Sequence, residues 1–339
     1  MAKTEAAVYT KIRTRFGKRL SFDDYIKLAN LSLVREIAEH LKNTKFSDSL
    51  KDYTYVELHR GKLENVLYTH SLFDGYSACM YDKAIGDSLS FLILQKEEID
   101  ELISFLCCLK AGEPSNYILN LSLAKNKLAE LDLSALSRVS SIGELKTFLK
   151  GTRYYKYISS LLTDDFSVRE IDLALKKAFY RSAERRIRAS GAAEGALKIL
   201  FLKAEIEDIN LYFRALNFFP NSLKKIRPYL INRPALLKKS ESVKLFSCTD
   251  IDSFNQILLG SKYSGEIQSN GELSVRLFIK ALIKNIHFSS DPFLVLLSYI
   301  FYLEEEYNDL KTIIESVRYK VLPDEIIKNL NIINAERRE

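Results

Sequence analysis

The chain has 339 residues, of which 47% are hydrophobic, and a net charge of +6 spread over 50 basic and 44 acidic side chains. This hydrophobic share excludes a disordered chain, and the modest positive charge falls far short of that of a dedicated nucleic-acid binder. Only 12 glycines and 6 prolines interrupt the sequence. Because so few helix breakers leave long uninterrupted segments, we predict an all-α fold.

The chain opens with a short basic helix around Tyr9–Arg13, and Ser21 before two acidic residues predicts the N-cap of the next helix. Three similar six-residue stretches then recur, with offsets of 108 and 109 residues: 41–46, 149–154 and 258–263. Each contains, in order, Leu, any residue, Asn or Gly, Thr or Ser, Lys or Arg, and an aromatic residue. We call these three stretches the repeated turns.

Apolar residues precede each repeated turn at 4, 7, 10 and 13 positions before its leucine. This spacing predicts one amphipathic helix in each copy. The Asn or Gly two residues beyond the leucine predicts a left-handed residue that ends the helix. The twelve apolar residues are Leu28, Leu31, Val34, Ile37, Leu136, Val139, Ile142, Leu145, Leu245, Cys248, Ile251 and Phe254.

A second repeated element is a helix that carries two acidic residues three positions apart, followed by apolar residues at helical steps. Its copies each meet a proline, which predicts the end of the helix. We therefore predict three homologous helical domains, 1–115, 116–222 and 223–339. Since no histidine lies nearby, we expect these acidic residues on a solvated or interdomain face rather than at a metal. The acidic pairs are Glu98/Glu101, Glu205/Asp208 and Glu306/Asp309, and the prolines are Pro114, Pro220 and Pro323.

Groups for catalysis are scarce, since the chain has four histidines and lacks metalloprotease, nucleophile-elbow and phosphate-loop motifs. We predict no catalytic residue, no cofactor and no metal. Cys107 and Cys108 are expected to be buried free thiols. The longest apolar run, 293–303, is too short to span a bilayer, so any membrane contact would be made through another protein.

Six basic residues are candidates for partner binding. Three are the cations of the repeated turns, where the alternative is a favourable interaction with the helix dipole. The other three lie at four-residue steps on one helix, where the alternatives are a solvated face and a phosphate-binding stripe. The six residues are Lys45, Arg153, Lys262, Lys177, Arg181 and Arg185.

The order and spacing of these elements resemble the C subunit family of the V-type (A-type) ATPases and ATP synthases, the counterpart of the d subunit of the eukaryotic vacuolar ATPase. The resemblance covers essentially the whole chain. It rests on Tyr9-x-x-Ile12-Arg13, the turns ending at Phe46 and Tyr154, and the helices containing 205–210 and 299–307. Phe46 stands where the family usually has Tyr.

The resemblance implies a funnel of three pseudo-threefold helical domains, present once per complex on the cytoplasmic face of the membrane. Its implied partners are the central-stalk subunits and the proteolipid ring, with membrane contact only through the ring and no nucleic acid. The function implied is a non-catalytic rotor subunit that transmits torque between ATP chemistry and proton or sodium translocation. The alternatives are a general helical scaffold or adaptor and a basic nucleic-acid-binding protein.

Overall fold

The computed structural model describes residues 2–54, 57–117, 130–191 and 194–336, and over these ranges the fold is all-α, as predicted. The first half of the chain forms helices α1 to α9: Ala2–Phe16, Phe22–Ala29, Val34–Leu41, Ser47–Leu50, Arg60–Cys79, Lys83–Lys110, Leu133–Leu136, Ile142–Leu149 and Tyr155–Ile158. Helices α10 to α18 follow: Val168–Ala189, Glu194–Phe218, Leu223–Ile226, Lys239–Leu245, Ile251–Leu259, Arg276–Phe288, Pro292–Arg318, Pro323–Lys328 and Asn331–Glu336. Short 3-10 turns span Pro114–Asn116, Pro220–Ser222, Arg227–Tyr229 and Ser264–Glu266.

The three longest helices after α5 carry the acidic pairs, and each ends where its proline predicts. Helices α6, α11 and α16 stop a few residues before Pro114, Pro220 and Pro323, and each proline begins the next helical turn. A proline is tolerated there because the first turn of a helix has no partner for its N–H group.

The single helix predicted before each repeated turn is wrong, because each copy has two short helices, α2 and α3, α7 and α8, or α13 and α14. Three successive steps of three residues drift by roughly 180° around a helix of 3.6 residues per turn, so one straight helix could not bury all four positions. A polar cap starts the second helix instead: the side chains of Ser141 and Asp250 accept backbone N–H groups of α8 and α14.

The predicted left-handed residue occurs in one copy. Gly151 has φ +91°, whereas Gly260 has φ −82° and Asn43 does not have positive φ. The N-cap predicted at Ser21 is confirmed, since Ser21 and Asp24 form a reciprocal capping box at the start of α2.

The chain divides into two compact units, 1–87 with 274–339, and 88–273. In the first unit, α16 is the central helix, and α1, α5 and α15 pack against it. Tyr9 and Arg13 bind the carbonyl end of α15: the Arg13 guanidinium donates to the carbonyl oxygens of Ile286 and Ser289 at 2.8 and 2.9 Å, and the Tyr9 hydroxyl donates to that of Ser290. The opening motif therefore joins the two segments of the first unit, 1–87 and 274–339.

In the second unit, α10 packs on α11, and α14 also packs against α11. The latter part of α6 contributes to a core with the second repeated turn, in which Phe105, Leu145, Leu149 and Tyr154 are fully buried. Cys107 is exposed and Cys108 half-buried, so the prediction that both are buried is wrong, although both are free thiols.

Candidate functional site

Each repeated turn is closed by the same hydrogen bond. The hydroxyl groups of Thr44, Thr152 and Ser261 donate to the carbonyl oxygen of the leucine three residues earlier, each at 2.7 Å. This satisfies a carbonyl that the end of a helix leaves unpaired. The aromatic residue two positions later is fully buried in all three copies, so the shared formula describes a helix end that inserts an aromatic ring into a core.

The glutamate of each acidic pair lies beside one of these aromatic rings. The Tyr263 hydroxyl donates to Glu205 at 2.6 Å, and the Tyr154 hydroxyl donates to Glu98. Phe46 has no hydroxyl, and here the ammonium of Lys45 forms an ion pair with Glu306. Lys45 is only 8% exposed and Glu306 is fully buried. Each glutamate thus has one polar partner in a repeated turn, a tyrosine hydroxyl for Glu98 and Glu205 and the Lys45 ammonium for Glu306.

Backbone N–H groups supply the other donors. Glu205 accepts hydrogen bonds from the N–H groups of residues 235, 236 and 237, at 3.1, 2.8 and 3.3 Å. Glu98 accepts from residues 130 and 131, and Glu306 accepts from residue 20. Burial raises the pKa of Glu98, although the hydrogen bond from Tyr154 opposes this effect. The glutamates therefore fix the segment that leads into the two short helices.

The second acidic residue of each pair is also buried. Asp208 accepts the N–H groups of residues 231 and 232, and Asp309 accepts those of residues 331 and 332. Glu101 instead accepts the hydroxyl of Tyr117. Burial raises the pKa of both Asp208 and Asp309 to about 7. Buried carboxylates require such donors because an unpaired charge in a core is costly.

Of the two surroundings predicted for the acidic pairs, a solvated face is wrong, because the six residues are at most 4% exposed, whereas an interdomain face stays a prediction. Glu98 and Glu205 instead each contact the repeated turn of the following copy, and Glu306 contacts the turn of the first. The signal that could have revealed this role is the tyrosine of the repeated turn, since a buried phenol needs an acceptor. Over the described parts of the chain, we find no group of three metal-binding side chains.

The three cations of the repeated turns have different surroundings. Lys45 is buried against Glu306, Arg153 forms an ion pair with Glu130, and Lys262 is exposed. The Arg153 guanidinium also lies 4.1 Å from the centre of the Phe91 ring. Partner binding by these residues stays a prediction.

The three candidate cations of α10 line two cavities in the second unit. Lys177 and Arg181 border one of about 470 Å³, together with Arg227, Arg233 and Glu184. The Lys177 ammonium donates to the carbonyl oxygen of Pro228 at 2.6 Å. Burial, together with the nearby Arg181, lowers the pKa of Lys177.

Arg185 borders another cavity, of about 490 Å³, and Arg153 from the second repeated turn lies in the same lining. The structure thus brings these two candidates together, although 32 positions separate them in the sequence. Gln95 and Lys156, which also line this cavity, were not predicted from the sequence. No local motif marks them, because their proximity depends on how three helices pack.

A family model described as ATP synthase (C/AC39) subunit matches residues 8–329. The chain belongs to this family. Membership confirms the resemblance to the C subunit family of the V-type ATPases, and the match spans all three helices that carry acidic pairs. A search of curated proteins finds no significant match. Over the described residues of this C/AC39 family member, no helix is long and apolar enough to cross a membrane.

Proposed function

We propose that this C/AC39 family member is a non-catalytic rotor subunit of a V-type ATPase. In this role it connects the central stalk to the membrane proteolipid ring and transmits torque between ATP chemistry and ion translocation. The observation that carries the proposal is the family match over residues 8–329. The chain would sit peripherally at the cytoplasmic face, in one copy per complex, as three helical domains bounded near 115 and 222.

The internal packing supports this role because a torque-transmitting part must resist deformation. Each repeated turn is contacted by a buried glutamate that is distant in the sequence, through a tyrosine hydroxyl or the Lys45 ammonium. The same glutamate also accepts backbone N–H groups of a second segment. Hydrogen bonds to charged groups are about twice as strong as neutral ones, and close-packed interiors transmit strain. The exposed cations Lys262 and Arg181 are our proposed contacts with the acidic surfaces of partners.

The proposal is tested by preparing the ATPase complex in membranes with and without this chain. We expect the ATP-hydrolysing head to remain active without it, while ATP-driven ion uptake is lost and returns when the purified chain is added back. Ion uptake that is unchanged without the chain would contradict the proposal. Absence of the chain from a complex purified with its proteolipid ring would instead favour the scaffold alternative.

A further inference from the structure

The cavity that contains Arg153 and Arg185 has features that packing alone does not explain. Its volume of about 490 Å³ falls within the range of small-molecule sites, roughly 300 to 1,000 Å³. Helix α6, the second repeated turn with α9, and α10 all contribute to its lining. Its polar lining residues include Gln95, Glu130, Arg153, Lys156, Arg185 and Arg186.

Positive charge accumulates here with little compensation. Glu130 pairs with Arg153, whereas Lys156, Arg185 and Arg186 have no carboxylate partner in the described parts of the chain. Among the described residues, the Arg185 guanidinium donates only to the carbonyl oxygen of Arg181, at 3.3 Å. The guanidinium groups of Arg153 and Arg186 lie 4.1 and 3.2 Å from the centre of the same Phe91 ring. Burial and then the charge of Arg153 lower the pKa of Arg186. Like charges disfavour each other's charged form and a nearby opposite charge favours it, so an anion between these guanidinium groups would offset their repulsion.

The side chain of Gln95 provides independent evidence for a ligand. Its side chain is only 2% exposed, and its Oε1 atom accepts no hydrogen bond from the described residues. Nearly all buried polar atoms in proteins have a partner, so each exception needs an explanation. A ligand that donates a hydrogen bond would supply the missing partner.

The other two copies show that packing does not require a polar residue at this position. Gln95 lies three residues before the glutamate of its acidic pair, and the corresponding residues are Leu202 and Leu303. Both leucines are buried. Helix α6 therefore has an unpaired amide oxygen where α11 and α16 have a leucine side chain. Gln95 lines the same cavity as Arg185 and Arg186 of α10.

We propose that this cavity binds a small phosphorylated molecule that also carries a hydroxyl or amino donor. Lys156, Arg185 and Arg186 bind its phosphate oxygens, and Gln95 accepts the hydrogen bond of its donor group. This ligand site goes beyond the rotor function, and binding is measured on the isolated chain, so either proposal can fail without the other.

The neighbouring cavity lined by Lys177 and Arg181 provides the internal contrast. There Arg233 pairs with Glu184 at 2.9 Å and Lys177 donates to a carbonyl oxygen. Among its described lining residues, no buried side-chain oxygen or nitrogen lacks a hydrogen bond. Arg181 therefore serves as a matched control, one helical turn from Arg185 on the same helix.

The experiment is calorimetric titration of the purified chain with ATP, which carries phosphates and donors, and with tripolyphosphate, which carries phosphates alone. At low salt we expect saturable binding of both, with ATP the tighter. The double variant Arg185→Gln/Arg186→Gln should weaken ATP binding at least about tenfold, since about 1.4 kcal/mol corresponds to a factor of ten. Arg181→Gln should change it less than about twofold by the same scale. Equal losses in both variants, or absence of saturable binding to these two probes and to phosphoinositide vesicles, would overturn the proposal.

The variant Gln95→Leu tests whether the cavity recognises a donor group of its ligand or attracts phosphate by its positive charge alone. This variant should raise the melting temperature of the unliganded chain, because the corresponding residues Leu202 and Leu303 are buried leucines. It should also abolish the preference for ATP over tripolyphosphate. A preserved preference would overturn the role of Gln95. Sedimentation with phosphoinositide vesicles shows whether the bound phosphate belongs to a lipid or to a soluble molecule. Binding to vesicles alone, if it is lost in the double arginine variant, identifies a lipid headgroup as the ligand of this site. Binding to neither probe nor vesicles refutes the site.

Discussion

The first and third repeated turns each provide a polar partner for a buried glutamate, but the chemistry of that partner differs. In the third, the Tyr263 hydroxyl donates to the buried Glu205, and the neighbouring cation Lys262 is exposed. In the first, Phe46 cannot donate, and the neighbouring cation Lys45 is instead buried in an ion pair with Glu306. The buried glutamate thus has a polar partner in the turn in both copies, whereas the identity of that partner varies.

The largest expected effect comes from removing the donor of the first turn. Lys45→Met leaves Glu306 buried with a single backbone hydrogen bond, at 3.4 Å, among its described contacts. Removing one partner of a buried ion pair costs about 3 kcal/mol or more, and we expect this loss in the free energy of unfolding by urea. Lys51→Met, which breaks an exposed pair with Asp48, should change it by less than about 1 kcal/mol. Equal effects of the two variants would contradict the comparison.

The acidic residue next to Glu205 in its pair should make stability depend on pH. Burial raises the pKa of Asp208 to about 7, above its value of about 3.9 in an unfolded chain. The folded state therefore binds more protons between these values, and stability falls as pH rises from about 4 to about 7. Asp208→Asn should reduce this fall by about 2 kcal/mol between about pH 5 and pH 7, on the scale of 1.36 kcal/mol per pKa unit.

The control for this pH measurement is Asp48→Asn, because the Asp48 side chain is 93% exposed. Urea unfolding at the two pH values should show the same slope for this variant as for the unchanged chain. A slope that Asp208→Asn leaves unaltered would mean that Asp208 is ionised throughout, held by the N–H groups of residues 231 and 232.

A smaller loss is expected from removing the donor of the third turn. Tyr263→Phe deletes one hydrogen bond to Glu205, which keeps its backbone donors at 235, 236 and 237. The free energy of unfolding should fall by about 1.5 kcal/mol, the lower range for a hydrogen bond to a charged group. Tyr155→Phe is the matched control, since Tyr155 is half-buried and its hydroxyl makes no hydrogen bond to the described residues. A larger loss in the control would contradict this assignment.

The smallest effect concerns the hydroxyl that closes each turn. Thr152→Val removes the hydrogen bond to the Leu149 carbonyl oxygen, at an expected cost of about 1 kcal/mol. Thr147→Val makes the same change on the exposed face of α8, where the hydroxyl donates to the Gly143 carbonyl oxygen at 3.1 Å, and should cost less than about 0.5 kcal/mol. Thermal unfolding of the two variants side by side measures the difference, which should vanish if the hydroxyl has no role.

Local chemistry was readable from the sequence where it acts within a few residues. The capping box at Ser21 and the helix ends before the three prolines follow from rules that involve one turn of helix. The break before each repeated turn also had a signal, since steps of three residues cannot follow one helix face. The capping residues Ser141 and Asp250 mark the start of the second helix.

The burial of the acidic pairs could not be predicted in the same way. Two acidic residues three positions apart on a helix are typical of a solvated face, and the N–H donors of Glu205 come from a segment that begins at residue 235. The environments of Lys45, Arg153 and Lys262 likewise depend on which carboxylate the packing brings near. The significance of Gln95 could not be predicted either, because it depends on the unpaired side-chain oxygen and on the packing that places Gln95 in one cavity lining with arginines of α10.

The most direct test of the donor requirement is a double-mutant cycle in the first turn, with Lys45→Met, Phe46→Tyr and their combination. The second and third copies place a tyrosine hydroxyl on the corresponding glutamate. Phe46→Tyr should therefore restore at least about 1.5 kcal/mol, one hydrogen bond to a charged group, in the Lys45→Met background. In the unchanged background it should have little effect, because Lys45 already supplies the donor. If Phe46→Tyr changes unfolding free energy equally in both backgrounds, the two donors are independent and the account of the repeated turns is wrong.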